Sequence, residues 1–261
     1  MKPELFVNIS TAHMTAEDLD FLRVQHLHPE LYFSAADMDA LTPAQLGKLH
    51  QEMQAREFRP ICHAPFYDLN LGAHDPKVRA LAQERVFWAL DTARQFGAPQ
   101  VVIHPGYGPW VLVRAFPNWL KRAHPHLAAI VARAKELGVR VAFENIYDPD
   151  PHDLVEILKA FPEPHVGICF DTGHFNLFSQ VSMKTWLEAF GDRLFECHLH
   201  DNLGSEDDHI AVGDGCLKFG PLVQWLKAQP ALPRLTLEME QKTHVIKSVR
   251  RVREWFAPLE E

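Results

Sequence analysis

The chain has 261 residues, 47% of them hydrophobic and 23% charged, which is typical of a globular protein with a sizeable core. Its net charge of −8 argues against a surface built mainly for nucleic acid. The first twenty residues contain no long apolar run, so neither a signal peptide nor a membrane anchor is predicted. Four cysteines without a CxxC spacing indicate reduced thiols, and hence a cytoplasmic protein.

Short β-type runs alternate with longer amphipathic runs along the whole chain. Strands are predicted at residues 5–10, 31–35, 59–64, 100–105, 139–145, 166–171, 194–200 and 234–240. Helices are predicted at residues 43–57, 75–97, 117–138, 152–161, 182–190, 219–228 and 243–256. Near three helix starts stand residues whose side-chain oxygens can cap free N–H groups, namely Asp153, Ser182 and Thr243.

This alternation fits an α/β protein with one (β/α)₈ TIM barrel spanning residues 1–261. No Pro/Gly/Ser-rich linker divides the chain into two domains. The alternative is a doubly wound open sheet, but the first predicted strand is followed by "NISTAHM" rather than by a glycine-rich phosphate loop. The sequence therefore favours the barrel.

Side chains that can bind a metal ion stand at the ends of six consecutive predicted strands, from the third to the eighth. In chain order they are His63, His104, Glu144, Asp171, His174, His198, Asp207, His209 and Glu238, of which Asp207 and His209 lie in the loop after the seventh strand. Strand ends of one polarity meet at the same rim of a barrel, where the chemistry of such folds takes place. The sequence therefore predicts a metal site at the carboxyl-terminal rim.

Alternation along the strands agrees with this placement, because neighbouring residues point to opposite faces. The residue before each strand-end ligand is apolar or a cysteine, as a face covered by helices requires: Cys62, Ile103, Phe143, Phe170, Cys197 and Leu237. Glu240 would share a face with Glu238, so either glutamate could serve the last strand.

Several short motifs resemble those of the xylose isomerase-like TIM-barrel superfamily, which includes sugar and sugar-phosphate isomerases and epimerases as well as endonuclease IV. They are "CHAPFYDLNLG", "VIHPG", "FEN", "FDTGH", "CHLHDN", "DDHIAVGDG" and "LTLEM", in the order of the family, from the third strand to the eighth. By resemblance to endonuclease IV-like members, the nine residues would hold three zinc ions. By resemblance to epimerase-like members, Glu144, Asp171, His198 and Glu238 would hold one divalent ion, often manganese, and the two glutamates would act as acid and base.

The sequence features bear unequally on the two kinds of substrate, duplex DNA and a small sugar-like molecule. DNA-processing enzymes need basic surfaces, whereas "AADMDA" and "GSEDD" place acids beside the predicted site. The bases of "KSVRRVREW" are expected to form a solvated helix face. Aromatic residues near the rim could line a pocket for a sugar-like ligand or merely pack the loops: Phe66, Tyr67, Tyr107, Trp110, Phe175 and Phe178. His200 would contact the substrate or a metal ligand, or merely pair with Asp201.

These features predict a metal-dependent isomerase or epimerase acting on a small sugar or sugar phosphate, with Glu144 and Glu238 as catalytic residues. The expected cofactor is zinc or manganese, with two or three ions where all nine ligands are used. The alternative is a phosphodiesterase of the endonuclease IV type, which the complete set of nine residues favours. The substrate-binding candidates are Phe66, Tyr67, Tyr107, Phe175 and His200.

Overall fold

The computed structural model describes residues 3–108 and 116–257, which form a closed barrel of eight parallel strands. The strands are β1 Leu5–Ser10, β2 His28–Tyr32, β3 Ile61–His63, β4 Gln100–Ile103, β5 Arg140–Glu144, β6 Val166–Asp171, β7 Leu194–Leu199 and β8 Arg234–Leu237. Each strand pairs with the next, and β1 pairs with β8 to close the barrel. The predicted (β/α)₈ architecture is confirmed.

Helices follow the strands and cover the outside of the barrel. They are α1 Ala16–Val24, α2 Ala35–Ala40, α3 Pro43–Ala55, α4 Pro76–Phe96, α5 Phe116–Leu137, α6 His152–Ala160, α7 Thr172–Phe178, α8 Met183–Phe190, α9 Gly220–Ala228 and α10 Lys242–Trp255, with a short 3₁₀ turn at Gly191–Arg193. Within residues 3–108 and 116–257, none of these helices combines the length and apolar character that crossing a membrane requires.

The largest difference from prediction concerns β2, which begins three residues earlier than expected and ends at Tyr32. Pro29 and Glu30 resemble loop residues in sequence, but Glu30 points into the barrel and is fully buried. Ser34 then caps α2, a helix that the hydrophobic pattern alone did not predict. Its side chain accepts a hydrogen bond from the Asp37 amide, while the Asp37 side chain accepts one from the Ser34 amide, which is a capping box.

Three further predictions at helix boundaries had mixed outcomes. Ser182 caps α8, as expected. Asp153 lies in the first turn of α6 without capping it, and Thr243 lies inside α10. Helices α1 and α7 were not predicted, because each is short and α7 starts directly after a residue already assigned to a strand end.

Apolar residues pack on both faces of the strands, outside the barrel and in part of its interior. The outer layer packs the strands against the helices and contains all six residues that were expected to face outward: Cys62, Ile103, Phe143, Phe170, Cys197 and Leu237. A separate small cluster fills part of the interior and consists of Val102, Ala142, Cys169 and Phe195. Many of the other interior positions are polar, which is unusual for a buried volume and points to a function there.

Candidate metal centre

The nine ligand-type side chains converge at the carboxyl-terminal rim of the barrel. His63, Glu144 and Asp171 are the last residues of β3, β5 and β6, and His198 is the second last of β7. His104 and Glu238 directly follow β4 and β8, and His174 lies in the first turn of α7. Asp207 and His209 reach the same place from the loop after β7. The structure therefore brings together all nine residues singled out in the sequence.

Glu144 occupies the middle of this group. Its Oε2 atom lies 2.9 Å from Nε2 of His104 and 3.1 Å from Nε2 of His63. Its Oε1 atom lies 3.3 Å from Nδ1 of His198 and 3.5 Å from Nδ1 of His174. A carboxylate that faces different imidazoles with its two oxygens can bridge two metal ions.

A second part of the group surrounds Asp207. Its Oδ2 atom lies 2.9 Å from Nε2 of His209 and 3.4 Å from Nε2 of His174. His174 also approaches Asp171, whose Oδ1 atom is 3.3 Å from Nδ1 of the histidine. His209 adopts a left-handed backbone with φ of 48°, which turns its side chain back toward the rim. His174 thus connects the Asp207 side of the group with Glu144.

Glu238, and not Glu240, belongs to the group. Oε2 of Glu238 lies 3.0 Å from Nδ1 of His198, whereas Glu240 is exposed. Oxygen or nitrogen atoms of four residues lie within 4.8 Å of one another: Glu144, Asp171, His198 and Glu238. These are the four residues for which the resemblance to epimerase-like enzymes predicted a single bound ion.

Several polar atoms in this region are buried without a hydrogen-bond partner in the described part of the chain. They include Nδ1 of His104, His198 and His200, and Oε2 of Glu238. The 3.0 Å contact between His198 and Glu238 does not have hydrogen-bond geometry, although both atoms are inaccessible to solvent. Leaving such a group unpaired costs about 1–3 kcal/mol, which a bound cation would offset. Mixed imidazole and carboxylate donors fit zinc, manganese or iron better than magnesium.

The histidines also determine the charge state of the central carboxylate. Burial alone would raise the pKa of Glu144, but the neighbouring His104 and His198 and hydrogen bonds from His104 and His174 hold it well below its usual value. Glu144 is therefore an anion at neutral pH. An anionic carboxylate is the form that binds a cation.

The end of β6 is fixed to the end of β5 by Asn145. Its side-chain amide donates to the carbonyl of Asp171 at 3.1 Å, and its oxygen accepts from the Asp171 amide at 2.8 Å. Asp171 in turn caps α7 by accepting from the amide of His174 at 2.6 Å. The "FEN" and "FDTGH" motifs thus lock two neighbouring ligand-bearing strand ends together.

Asp201 organises the loop that carries Asp207 and His209, a role that the sequence had not indicated. Its buried carboxylate accepts hydrogen bonds from the amides of Gly213 and Gly215, both at 3.0 Å, and from two further amides, those of Asn202 and Leu217. Gly213 has φ of 81°, a conformation that favours glycine. Asp201 is therefore not the partner of His200.

His200 instead contacts a candidate ligand. It is fully buried, and its Nε2 atom lies 2.9 Å from Oδ2 of Asp171. Its ring stacks on that of His209 at a centroid distance of 4.0 Å. A Cβ atom on Gly173 would come within 2.0 Å of the His200 ring, so only glycine fits beside it. This position suits a residue that orients Asp171.

Two buried carboxylates below the rim were not predicted from the sequence. Glu30 of β2 lies 3.2 Å from Nε2 of His198, and Asn8 donates to it at 3.0 Å. Glu196 of β7 accepts from the side chain of Gln100 at 2.5 Å. The contacts of Glu30 with His198 and of Glu196 with Gln100 join strands that are not neighbours in the sheet, so they cross the barrel interior. A buried position for Glu30 could have been inferred only from a correct start of β2.

The aromatic candidates occupy different surroundings. Phe66 stacks on His104 at a centroid distance of 4.2 Å, and Tyr67, which is 72% exposed, lies beside Phe66 at 4.3 Å. Tyr107 lines a small cavity together with Glu144. Phe175 packs against Phe170 and Trp186 of the outer core. Phe178 packs on Tyr147, and Trp110 lies outside the described residues.

The basic residues of α10 are engaged elsewhere. Lys247 and Arg251 both bind Asp214, at 2.6 and 2.7 Å. Arg253 donates to the carbonyl of Gln25 at 2.7 Å, so it is a packing contact and not part of the freely solvated face that was expected. Arg250 is exposed and near Glu254. Most of these bases are thus already engaged by other groups of the protein.

The family model described as "Xylose isomerase-like TIM barrel" matches residues 24–259. The zinc-soaked TTHB071 protein from Thermus thermophilus is 28% identical, with a TM-score of 0.82 over 97% of this chain and 98% of that one. A D-tagatose 3-epimerase-like protein has the same fold at 24% identity, with a TM-score of 0.82 over 98% and 97% of the two chains. The "Probable endonuclease 4" of Acholeplasma laidlawii is 28% identical over 63% of this chain and 61% of its own length.

Proposed function

The chain belongs to the xylose isomerase-like TIM-barrel family, and from this premise we propose that it is a metal-dependent isomerase or epimerase acting on a small sugar or sugar-phosphate-like substrate. The observation that carries the proposal is the pair of glutamates at one metal-competent group, Glu144 and Glu238. The epimerase-like structural relative is consistent with it.

Zinc or manganese held by Glu144, Asp171, His198 and Glu238 would polarise a substrate carbonyl and so acidify the neighbouring C–H bond. The two glutamates are then available for proton transfer, and they differ in access. The side chain of Glu238 is 21% exposed, whereas that of Glu144 is 1% exposed and is already contacted by His63 and His104. Glu238 is therefore the carboxylate to which a substrate can bring its proton, and Glu144 is the one enclosed by histidines.

The rim surface favours a small substrate over duplex DNA. The loop after β7 exposes Glu206, Asp207 and Asp208, while Lys247 and Arg251 are paired with Asp214. DNA affinity depends mainly on neutralising phosphates with lysine and arginine. Tyr67 and Phe66 form an aromatic surface beside His104. A sugar ring could stack on this aromatic surface.

A phosphodiesterase of the endonuclease IV type is the second candidate, and one observation favours it. His63, His104, His174, Asp207 and His209 are not needed for a single ion, yet all five point into the same group. Clustered ions would suit hydrolysis of a phosphate ester. The similarity to the probable endonuclease 4 supports this alternative.

One experiment separates the two candidates. Protein loaded with manganese or zinc is incubated in D₂O with a panel of ketoses and their phosphates, and loss of the C–H signal next to the carbonyl is followed by proton NMR. Glu238→Gln should reduce the exchange rate by about 10²-fold or more, because the proton-accepting oxygen is lost. Glu240→Gln, an exposed glutamate two residues away, is the matched control and should retain the wild-type rate.

In parallel, the same preparations are incubated with duplex DNA that contains an abasic site. Strand cleavage with no sugar exchange would overturn the isomerase proposal and leave the hydrolase standing. Exchange on a ketose that Glu238→Gln removes and Glu240→Gln retains would support the isomerase.

A further inference from the structure

The opposite, amino-terminal end of the barrel contains a cavity that is separate from the rim. It has a volume of about 470 Å³ and lies where the first residues of β5, β7 and β8 meet. Two arginines line it, Arg140 at the start of β5 and Arg234 at the start of β8. Arg140 is an even number of residues from Glu144, and Arg234 is an even number of residues from Glu238. Because alternate residues of a strand face the same side, both arginines point to the barrel interior.

Local packing directs the guanidinium of Arg140 into this cavity. The pairing of β6 with β7 shifts register after Ile168, and Phe195 thereby turns into the barrel interior. Gly167 makes room for it, because a Cβ atom there would lie 2.4 Å from the Phe195 ring. The guanidinium carbon of Arg140 lies over that ring at 4.5 Å from its centroid. The aromatic face supports the cation, and no residue in the described ranges accepts a hydrogen bond from its N–H groups.

Arg234 approaches the cavity from the other side. It donates from Nη1 to Oε1 of Gln100 at 3.0 Å, while its Nε atom is buried and has no hydrogen-bond partner in the described ranges. Among those same residues, neither Arg140 nor Arg234 forms an ion pair with a carboxylate. Burial lowers the pKa of Arg140, and repulsion by the positive charge of Arg234 lowers it further, while the nearby Glu196 acts in the opposite direction.

None of the acids near this cavity forms an ion pair with Arg140 or Arg234 in the described part of the chain. Glu4 is engaged by Arg59 and lies 3.3 Å from Nε2 of His28. Asp192 is not paired with either arginine in the described part of the chain. The two carboxyl oxygens of Glu196 accept hydrogen bonds from the side chains of Gln100 and Thr236, and neither oxygen contacts an arginine in the described residues. Two arginines without an ion-pair partner among the described residues therefore line this concave site.

We propose that the amino-terminal cavity binds a small oxyanion of the phosphate type between Arg140 and Arg234. Guanidinium groups present forked N–H donors that match tetrahedral oxyanions. An anion here would accept from the free N–H groups of both arginines, satisfy the buried Nε of Arg234 and remove the repulsion between the two cations. The site is independent of the proposed catalytic function, because it lies at the other end of the barrel.

The test is calorimetric titration of the full chain with inorganic phosphate and, separately, with glycerol 3-phosphate. Each titration is carried out on metal-loaded and on chelator-treated protein, because phosphate could also bind at the rim. Binding at the amino-terminal cavity should persist after chelation. Arg140→Gln and Arg234→Gln should each weaken it about tenfold or more, since each variant loses charge-assisted hydrogen bonds to the anion.

Arg250→Gln is the matched control, because it removes an exposed arginine of α10 that does not line the cavity and should leave affinity unchanged. Arg140→Gln keeps the test decisive if Arg234→Gln unfolds the protein through its contact with Gln100. Tighter binding of the ester than of the free ion would identify a phosphorylated metabolite as the ligand, and the reverse would identify phosphate itself. Absence of saturable binding after chelation, or unchanged affinity in Arg140→Gln, would overturn the proposal.

Discussion

Glu30 and His198 stand on two strands that are not neighbours, β2 and β7, and meet in the barrel interior with Nε2 of the histidine 3.2 Å from Oε1 of the glutamate. This contact leaves the other ring nitrogen, Nδ1, directed at Glu144 and Glu238, at 3.3 and 3.0 Å. A carboxylate behind a histidine fixes its tautomer and raises the basicity of the nitrogen that faces a metal. Glu30 is thus a positioning residue for the candidate centre.

Replacement of Glu30 should weaken metal binding without removing any ligand. We expect Glu30→Gln to lower the affinity of the protein for zinc or manganese by about 10–100-fold, because His198 loses its negatively charged partner. The measurement is competition with a chelator of known affinity. Glu240→Gln is the control, because it removes the same negative charge from an exposed position. Equal affinities in Glu30→Gln and wild type would contradict the assigned role.

The number of ions can be tested separately from their affinity. The two oxygens of Glu144 face different pairs of histidines, namely His104 and His63 on one side and His198 and His174 on the other. Because such a carboxylate can bridge two ions, we expect more than one ion per chain in protein purified without chelator. His104→Ala should reduce the metal content by about one ion per chain, measured by elemental analysis. His124→Ala, in α5 and away from the rim, should not reduce it. One ion in both wild type and His104→Ala would contradict a multinuclear centre.

The rim ligands were predictable from the sequence, whereas the interior polar residues were not. His63, Glu144 and Asp171 each follow an apolar strand, so alternation and strand polarity alone place them at one rim. The buried position of Glu30 was not predictable from the sequence, because β2 contains Pro29 and lacks a clear apolar run. The role of Asp201 depends largely on amides twelve to sixteen residues away, and no local pattern specifies which carboxylate such a loop will surround. Contacts across the barrel likewise arise only from tertiary closure.

Asp201 should be required for the shape of the loop after β7. In Asp201→Asn, an N–H₂ group would face backbone amides that now donate to a carboxylate, so we expect a loss of about 1–3 kcal/mol in the free energy of unfolding. Faster proteolysis or hydrogen exchange within residues 203–216 would report the loosened loop. Asp208→Asn is the matched control, since Asp208 is exposed and accepts a hydrogen bond from the amide of Leu203. Equal exchange in the two variants would contradict this role.

Asp148, in the loop after β5, provides a test of pH dependence. Burial raises its pKa to about 6 from an ordinary value of 3.8, and the nearby Asp153 adds to the effect. The folded protein therefore holds this proton more tightly than the unfolded chain does, and the contribution of Asp148 to wild-type stability should fall as pH rises from about 4 to 6. Asp148→Asn removes this titration, while its amide oxygen can still accept the hydrogen bond from the amide of Ile146.

The advantage of Asp148→Asn over wild type should consequently be near zero at pH 4, grow through the interval and stay constant above pH 6. One pKa unit corresponds to about 1.4 kcal/mol, so the full difference should be on the order of 2 kcal/mol for this partly accessible side chain. Denaturant unfolding of both proteins at several pH values, with metal removed, measures it. Glu206→Gln, which changes an exposed acid, should show no such pH-dependent gain. A difference between Asp148→Asn and wild type that is the same at pH 4 and pH 7 would contradict the raised pKa of Asp148.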